Sequence, residues 1–179
     1  GTTGSTALLL SKKGKVLGSF SAAVPQHFPK PGWVEHDPEE LWKSVQRAVV
    51  GVLKKTRAKA SAIQAIGLTN QRETVSLFDG SRALHRFIVW QDRRTTEICE
   101  AMKRHDSLIQ ERSGLSLDPY FSASKILWLK RELKLSSARA LRFRTIESFL
   151  FERLCGVDAT EVFTQFAKSS VGSGSALSV

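Results

Sequence analysis

The segment IGLTNQRETVSLF, residues 66–78, places an arginine and a glutamate side by side between two apolar runs of strand length. Short apolar runs bounded by polar residues predict buried strands. In open α/β sheets, ligands gather beyond the carboxyl ends of the strands. Arg72 and Glu73 can therefore hydrogen-bond a small ligand with neighbouring hydroxyl groups, or they form an ion pair that closes a turn. Their chemistry alone favours the ion pair, because most charged pairs are structural or solvated.

The sequence before this segment predicts a hairpin and a helix. TALLL and KVLGSFSAAV flank the polar turn SKKGK, which predicts two antiparallel strands with the loop GTTG at one end. Asp37 and Pro38 predict the N-cap and first turn of a helix that continues at apolar 3.6-residue spacing through Lys55.

The sequence around and after the charged pair completes an α/β pattern. AIQAIGLTN, TVSLF and RFIVWQ predict strands, and DGSR predicts a turn between the last two. After Arg93, apolar residues three and four apart predict helices in RTTEICEAMKR, SLIQERSG, SASKILWLKREL and IESFLFERL. The predicted strands lie early in the chain, with one helix between them and several helices after them. This order predicts one α/β domain with a mixed sheet.

Composition limits the class of protein. A chain of 179 residues with 41% apolar content can build one sizeable core. Cys99 and Cys155 match no metal or redox spacing, so we expect reduced thiols. Neither a signal peptide nor a membrane span of roughly 20 apolar residues is present, and we expect a soluble, cytoplasmic protein without a membrane partner.

The net charge of +10, from 27 Lys and Arg against 17 Asp and Glu, raises the question of an anionic partner. The basic clusters KKGK, KKTRAK and RALRFR are small and scattered along the chain. Because nucleic-acid modules show denser runs or aromatic-interleaved strands, we expect solvated surface charge and no nucleic-acid partner.

Three other segments carry candidate site residues. Trp90 can cover the apolar side of a polyol next to Asp92, Arg93 and Arg94, or it is a core residue before a capped helix. In LDPYFSASK, Tyr120 can reach into a site, whereas Asp118 is typical of a turn. The GTTG loop allows backbone N–H groups and hydroxyls to approach a phosphate, although such loops are common. The histidines share no spacing that predicts chemistry.

Taken together, four motifs resemble the glycerol kinases of the FGGY carbohydrate kinases. PKPGWVEHDPEELW, AIGLTNQRET, IVWQDRRTTEIC and SGLSLDPYFSASK stand in the order and at the spacing of that family. The resemblance runs from Gly1 to about Leu129. It is specific, because related sugar kinases carry other residues where NQRE stands here.

The resemblance implies a ribonuclease-H-like, actin-like ATPase fold and transfer of the γ-phosphoryl group of ATP to glycerol, with Mg²⁺ bridging the phosphates. It implies that Arg72 and Glu73 bind the glycerol hydroxyls, that Tyr120 adds a polar contact, and that Trp90 covers the carbon skeleton. Thr2 and Thr3 match the phosphate-binding hairpin of the family. A dimer or tetramer is compatible with the resemblance.

The same resemblance predicts how the chain divides. Residues 1–168 match the first of two domains, beginning just after an aspartate of the family's first strand, and residues 169–179 form a Gly/Ser-rich tail or linker. The catalytic base and any metal ligands of the family lie outside this chain, so we expect negligible turnover from it alone. The ATPase domain that follows in the family is absent from it.

The agreement decays after Arg144. Residues 144–147 read RTIE where the family has Gly-Thr-x-Asp, and ATEVFTQFAKSSV only loosely matches the following family segment. This departure leaves open a divergent, non-catalytic polyol-binding protein, or a kinase for another polyol or sugar. A basic nucleic-acid-binding module is the remaining alternative.

Overall fold

The structure is a computed structural model that describes residues 1–135, 141–157 and 159. The chain divides into two units, each built around its own sheet. The first consists of Gly1–His27 and His36–Asn70, and the second of Phe28–Glu35 and Gln71–Val179. Among the described residues, no helix is long and apolar enough to cross a membrane.

The first unit is the predicted hairpin with the predicted helix packed on it. Strands β1 (Gly4–Leu10) and β2 (Val16–Ala23) pair antiparallel, with Leu8 opposite Ser19. Helix α1 (Pro38–Thr56) packs on both strands. Close packing depends on Gly51, because a Cβ atom there would lie 2.4 Å from the ring of Phe20.

The ends of α1 follow from local chemistry. The side chain of Asp37 accepts hydrogen bonds from the backbone N–H groups of Glu39 and Glu40, at 2.9 and 3.1 Å. This is N-capping, and Pro38 occupies the first turn, where its missing N–H costs nothing. Arg57 ends the helix in the left-handed conformation, with φ of 56°. The predicted helix boundaries are therefore confirmed.

The strand predicted for AIQAIGLTN is wrong. Ala60–Ala62 form a short 3-10 helix, and residues 63–70 form no strand. The apolar side chains in this run do not alternate, since Ile63 and Ala65 fall on one face and Ile66 and Leu68 on the other. Ala and Gly also pack poorly in strands. In agreement, Ile66 is 67% exposed.

The second unit is a sheet covered by helices. Its strands are β3 (Glu35–His36, of which Glu35 belongs to this unit), β4 (Val75–Asp79), β5 (Arg82–Ala83), β6 (Phe87–Ile88) and β7 (Arg142–Thr145). Its helices are α2 (Thr96–Ala101), α3 (Asp106–Ser113), α4 (Ser122–Glu132) and α5 (Ile146–Cys155). The helices predicted after Arg93 are all present, whereas β3, β5 and β7 were not predicted.

Strand β4 is the centre of this sheet. It pairs antiparallel with β5, β6 and β7, in the order β3-β6-β4-β5 with β7 added to β4. On one side, Leu77 of β4 and Ile88 of β6 pack against Leu129 of α4, all three with no solvent exposure. This core fixes α4 against the strand that follows Glu73.

The two cysteines are free thiols, as expected. Cys99 is buried in α2, and Cys155 is exposed at the end of α5. Burial raises the pKa of the Cys99 thiol, which keeps it protonated and weakly nucleophilic near neutral pH.

Removing the N-cap of α1 should destabilise the first unit. We expect Asp37→Ala to lower the free energy of unfolding by about 1 kcal/mol, because two helix N–H groups lose their acceptor. Asp37→Asn should retain most of the stability, since its amide oxygen can accept the same bonds. Urea denaturation measures both variants, and equal losses from Ala and Asn would contradict the capping role.

The buried His36 should make the protein sensitive to mild acid. Its side chain has no solvent exposure, and its Nδ1–H donates to the carbonyl of Pro25 at 3.0 Å. Burial lowers the pKa of His36, so the unfolded chain takes up the proton first as the pH falls. The free energy of unfolding should therefore drop as pH falls below about 6.5, the usual histidine pKa.

His36→Gln is the matched control for this pH effect, because it can keep the donor to Pro25 and cannot titrate. Thermal denaturation at a series of pH values should show a shallower loss in the variant than in the wild type. Parallel loss in both proteins would assign the acid sensitivity to other groups.

Candidate functional site

Glu73 is a buried acid in an unusual backbone conformation. Its side chain is 7% exposed, and its φ of 60° lies in the left-handed region. A non-glycine residue there costs on the order of 1 kcal/mol or more, and such strain is concentrated at functional sites. Glu73 lies directly before the segment that enters β4. It does not follow a strand, so the expected position at a strand's carboxyl end is corrected.

The carboxylate of Glu73 caps the start of α4. Its Oε2 accepts hydrogen bonds from the backbone N–H of Ser122 at 2.7 Å and from the Ser122 hydroxyl at 2.8 Å. Phe121, at the N-cap position of α4, makes no side-chain cap, so Glu73 provides the acceptor from a distant part of the chain. The positive end of the helix dipole stabilises the carboxylate. Its other oxygen, Oε1, takes no part in these two bonds and can accept from a ligand hydroxyl.

Two aromatic residues belong to the segments that surround Glu73 and Ser122. Trp90 and Tyr120 contact each other with ring centroids 5.7 Å apart, and the backbone N–H of Trp90 donates to the hydroxyl of Thr74 at 3.1 Å. Thr74 follows Glu73, so this bond ties the Trp90 backbone to the residue after the acid. Tyr120 is 38% exposed, and its phenol can be reached from solvent. The structure thus brings together three of the residues singled out in the sequence.

The loop that carries Tyr120 is shaped by Asp118. Its side chain accepts the backbone N–H of Tyr120 at 2.7 Å, and its carbonyl accepts that of Phe121 at 3.1 Å. Arg93 also contacts the Asp118 carboxylate, at 3.2 Å. The predicted turn role of Asp118 is confirmed, because its side chain and its carbonyl accept the N–H groups of the next residues in the turn.

Lys125 is a residue of this region that the sequence did not identify as functional. It is fully buried in the first part of α4, and its Nζ donates to the carbonyls of Pro119 and Tyr120 at 2.8 and 2.5 Å. The available signal was its spacing, because Lys125 falls on the same helical face as Ser122 and Leu129, both buried. A charged residue within a buried stripe is rare unless it is paired.

Asp92 and Arg94 do not belong to the candidate site. Arg94 binds both oxygens of Asp92 and one oxygen of Glu35 at 2.8 to 2.9 Å, and its guanidinium lies 3.8 Å from the Trp33 ring centroid. Asp92 also accepts the backbone N–H of Val34 at 2.7 Å. The idea that they hold a ligand is therefore replaced by a structural role within the second unit.

The remaining predicted residues are distributed as follows. Arg72 directly precedes Glu73 and is exposed. Thr2 and Thr3 belong to the first unit, in the loop before β1, where the carbonyl of Thr3 accepts the backbone N–H of Val24 at 3.1 Å. The Thr2 and Thr3 hydroxyls offer neutral donors of the kind that bind phosphate.

The segment that departs from the family pattern is well integrated in the second unit. Arg144 in β7 pairs with the carboxylate of Glu152 in α5, and its guanidinium lies 5.0 Å from the centroid of the Phe78 ring. The Thr145 side chain and Ser148 form a capping box at the start of α5. Residues 144–147 thus join β7 to α5. Of ATEVFTQFAKSSV, only Ala159 is described, and the predicted tail lies outside the described residues.

We call Glu73, Trp90, Tyr120, Ser122 and Lys125 the Glu73 cluster. It combines a buried acceptor, a phenol and an indole face, which suits a small molecule with both hydroxyl and C–H surfaces. Within the described residues, no group of three or more His, Cys, Asp or Glu side chains could hold a metal ion. The acceptor, the phenol and the indole together suit a small polar ligand.

Sequence comparisons with known proteins match carbohydrate kinases. The sequence profile of the FGGY family of carbohydrate kinases, N-terminal domain, matches residues 1–171. The glycerol kinase of Alkalilimnicola ehrlichii is 46% identical over 164 residues, which cover 87% of this chain and 33% of the relative. The glycerol kinase of Methylobacterium nodulans is 44% identical, with the same 87% and 33% coverage.

A solved structure agrees with these sequence matches. Plasmodium falciparum glycerol kinase with ADP superimposes with a TM-score of 0.77 and 29% identity, covering 87% of this chain and 33% of that one. The predicted α/β class and the ribonuclease-H-like fold of these kinases are confirmed. The chain spans about a third of the length of the curated relatives, at 33%.

The capping role of Glu73 is testable through stability. We expect Glu73→Ala to lower the free energy of unfolding by about 1–3 kcal/mol, because the N–H and hydroxyl of buried Ser122 lose their acceptor. Glu73→Gln keeps an acceptor oxygen and should cost less. Asp79→Asn, at an exposed acid with only a 3.7 Å pair to Arg82, is the control and should change little. Urea denaturation giving equal losses for all three variants would contradict the role.

Proposed function

The chain belongs to the FGGY family of carbohydrate kinases, and on that premise we propose that it supplies the glycerol-binding part of an ATP-dependent glycerol kinase. The reaction transfers the γ-phosphoryl group of ATP to a terminal hydroxyl of glycerol and yields glycerol 3-phosphate. We assign this activity to the full-length protein that carries this sequence, in the cytoplasm.

The observation that carries the proposal is the Glu73 carboxylate on Ser122, two residues after Tyr120, whose ring contacts Trp90. One carboxylate oxygen is committed to α4, and the other can accept a hydrogen bond from a glycerol hydroxyl. Because α4 and the positive φ fix the acid in place, it loses little conformational freedom when it binds. A fixed acceptor next to aromatic surface suits a three-carbon polyol better than an anionic ligand.

Each predicted site residue has a role in this proposal. Arg72 donates to the oxygens of the glycerol hydroxyls, and Glu73 accepts from their O–H groups. The pair therefore recognises a hydroxyl group both as an acceptor and as a donor. Tyr120 adds a polar contact through its phenol. Trp90 covers the C–H side of glycerol and excludes water from it.

ATP and Mg²⁺ are the cofactors that the family implies. The loop with Thr2 and Thr3 fits a phosphate, since it offers hydroxyl and backbone donors without a carboxylate that would repel it. By the same resemblance, we assign Mg²⁺ to the nucleotide phosphates, the usual place of this ion in phosphoryl transfer. Bound Mg²⁺ would neutralise charge on those phosphates. This chain's own contribution is to orient glycerol and to hold phosphate.

A sugar or another polyol is the second candidate substrate. It is favoured by the departure at residues 144–147, where family sequence is replaced by the Arg144–Glu152 pair and the α5 capping box. A polyol-binding protein without kinase activity would have the same departure. Comparing acceptor substrates separates these alternatives.

The proposal predicts a large kinetic effect at Arg72. In the full-length protein, Arg72→Ala should lower kcat/KM for glycerol by at least about a hundredfold, equivalent to ~2–4 kcal/mol, because a charged hydrogen bond to the substrate is lost. Coupled ADP release measures this with glycerol, xylulose, gluconate or water as acceptor. Arg82→Ala, which removes an exposed arginine of β5, is the matched control and should leave kcat/KM unchanged.

Each outcome of this assay decides between the alternatives. Release that depends on glycerol supports the proposal. ADP release that depends on xylulose or gluconate instead supports a sugar or related compound as the substrate. Glycerol binding without any ADP release supports the non-catalytic alternative, and unchanged kcat/KM in Arg72→Ala would make the arginine structural.

A further inference from the structure

Lys125 is placed where a lysine is energetically costly. It has no solvent exposure, and it lies within the first turn of α4, close to the positive end of the helix dipole. Burial of an ammonium costs several kcal/mol unless strong partners compensate, on the order of the penalties known for buried ions. Cations are also unfavourable at a helix N-terminus. Methionine or leucine would fill the same space without either cost, so the charge itself needs an explanation.

The partners of Lys125 are the carbonyls of one short loop. Its Nζ donates to Pro119 at 2.8 Å and to Tyr120 at 2.5 Å, and it lies 3.4 Å from the carbonyl of Phe121. All three residues precede α4, and Tyr120 is in the middle. The ammonium of Lys125 therefore links the backbone on both sides of Tyr120 to helix α4 through hydrogen bonds.

Negative charge faces Lys125 from several elements. Glu73, Asp92 and Asp118 each favour its charged form, and Cys99 of α2 does so only when its thiol is ionised. Burial opposes them and lowers the pKa of Lys125 to about 8. Among these groups, Glu73 has the largest effect. Lys125 thus interacts with two parts of the candidate site. It attracts the Glu73 carboxylate electrostatically, and it donates a hydrogen bond to the Tyr120 carbonyl.

We propose that Lys125 is a positioning residue for substrate binding, which holds the Pro119–Phe121 loop so that the Tyr120 ring stays against Trp90, next to the start of α4 that the Glu73 carboxylate caps. The inference rests on the proposed glycerol-binding function of that site. Lys125 does not touch the substrate itself. It acts through Tyr120, whose ring contacts both Trp90 and Phe121, with centroids 5.7 and 5.1 Å apart.

The direct test is Lys125→Met in the full-length protein, which keeps the volume and removes the donors and the charge. We expect KM for glycerol to rise by roughly tenfold or more while kcat changes by less than about threefold, because ground-state and transition-state binding are lost together. KM for ATP should stay unchanged. Lys130→Met, at an exposed lysine of the same helix, is the matched control and should behave as wild type.

A double-mutant cycle with Tyr120→Ala separates positioning from a general loss of structure. If Lys125 acts through Tyr120, Lys125→Met should raise KM for glycerol much less in the Tyr120→Ala background than in the wild type. Equal increases in both backgrounds would show independent effects and overturn the inference.

The pH dependence of wild-type KM gives a test that needs no folded Lys125 variant. Above about pH 8, Lys125 loses its proton, and a neutral amine has one N–H donor fewer for the loop carbonyls. KM for glycerol should therefore rise between about pH 7 and 9, whereas KM for ATP should rise less. A flat glycerol KM over this range would overturn the inference.

Failure of the inference is distinct from failure of the proposed function. Wild-type protein that releases ADP with glycerol, together with an unchanged glycerol KM in folded Lys125→Met, overturns the role of Lys125 alone. Wild-type protein that neither binds glycerol nor releases ADP with it overturns the proposed function, and the inference with it.

Discussion

The candidate site depends on the bond between the Glu73 carboxylate and the first turn of α4, which joins residues 49 apart in sequence. Glu73 makes this bond from a backbone in the left-handed region, with φ of 60°. It is stabilised by the Leu77–Ile88–Leu129 core, which fixes α4 against β4. The strain at one residue is thus offset by packing and by a charge-assisted helix cap. What results is an acceptor oxygen fixed in place before any ligand binds.

Burial and charge act together around this acid. Lys125 and Glu73 both lie in the interior of the second unit, and the backbone N–H groups and carbonyls around α4 satisfy them. Buried charges without such partners would be strongly destabilising. The same arrangement leaves the Tyr120 ring partly exposed, at 38%. Buried polar groups held in place, together with a partly exposed aromatic ring, suit the binding of a small polyol.

The sequence predicted most elements correctly because local signals were strong. Asp37 and Pro38 marked the start of α1, and two apolar runs around the polar turn SKKGK marked the hairpin. It failed at residues 63–70, where apolar content without alternation suggested a strand, and it missed β7, whose charged residues pair with β4. The candidate site residues Glu73, Trp90 and Tyr120 were singled out from motifs, and their binding role stays a prediction. Lys125 was missed because its partners are backbone carbonyls, and every residue has a carbonyl, so no residue type identifies the partner.

The most direct test of the central claim is an NMR titration of the full-length protein, labelled with ¹⁵N at serine and tryptophan, with glycerol. The account predicts saturable shifts of the Ser122 amide and of the Trp90 signals, because the ligand meets the acid that caps α4 and the indole beside it. Trp42, in helix α1 of the first unit, should shift less and serves as the internal reference. Saturable binding that leaves Ser122 and Trp90 unchanged would contradict the assignment of the Glu73 cluster as the glycerol site.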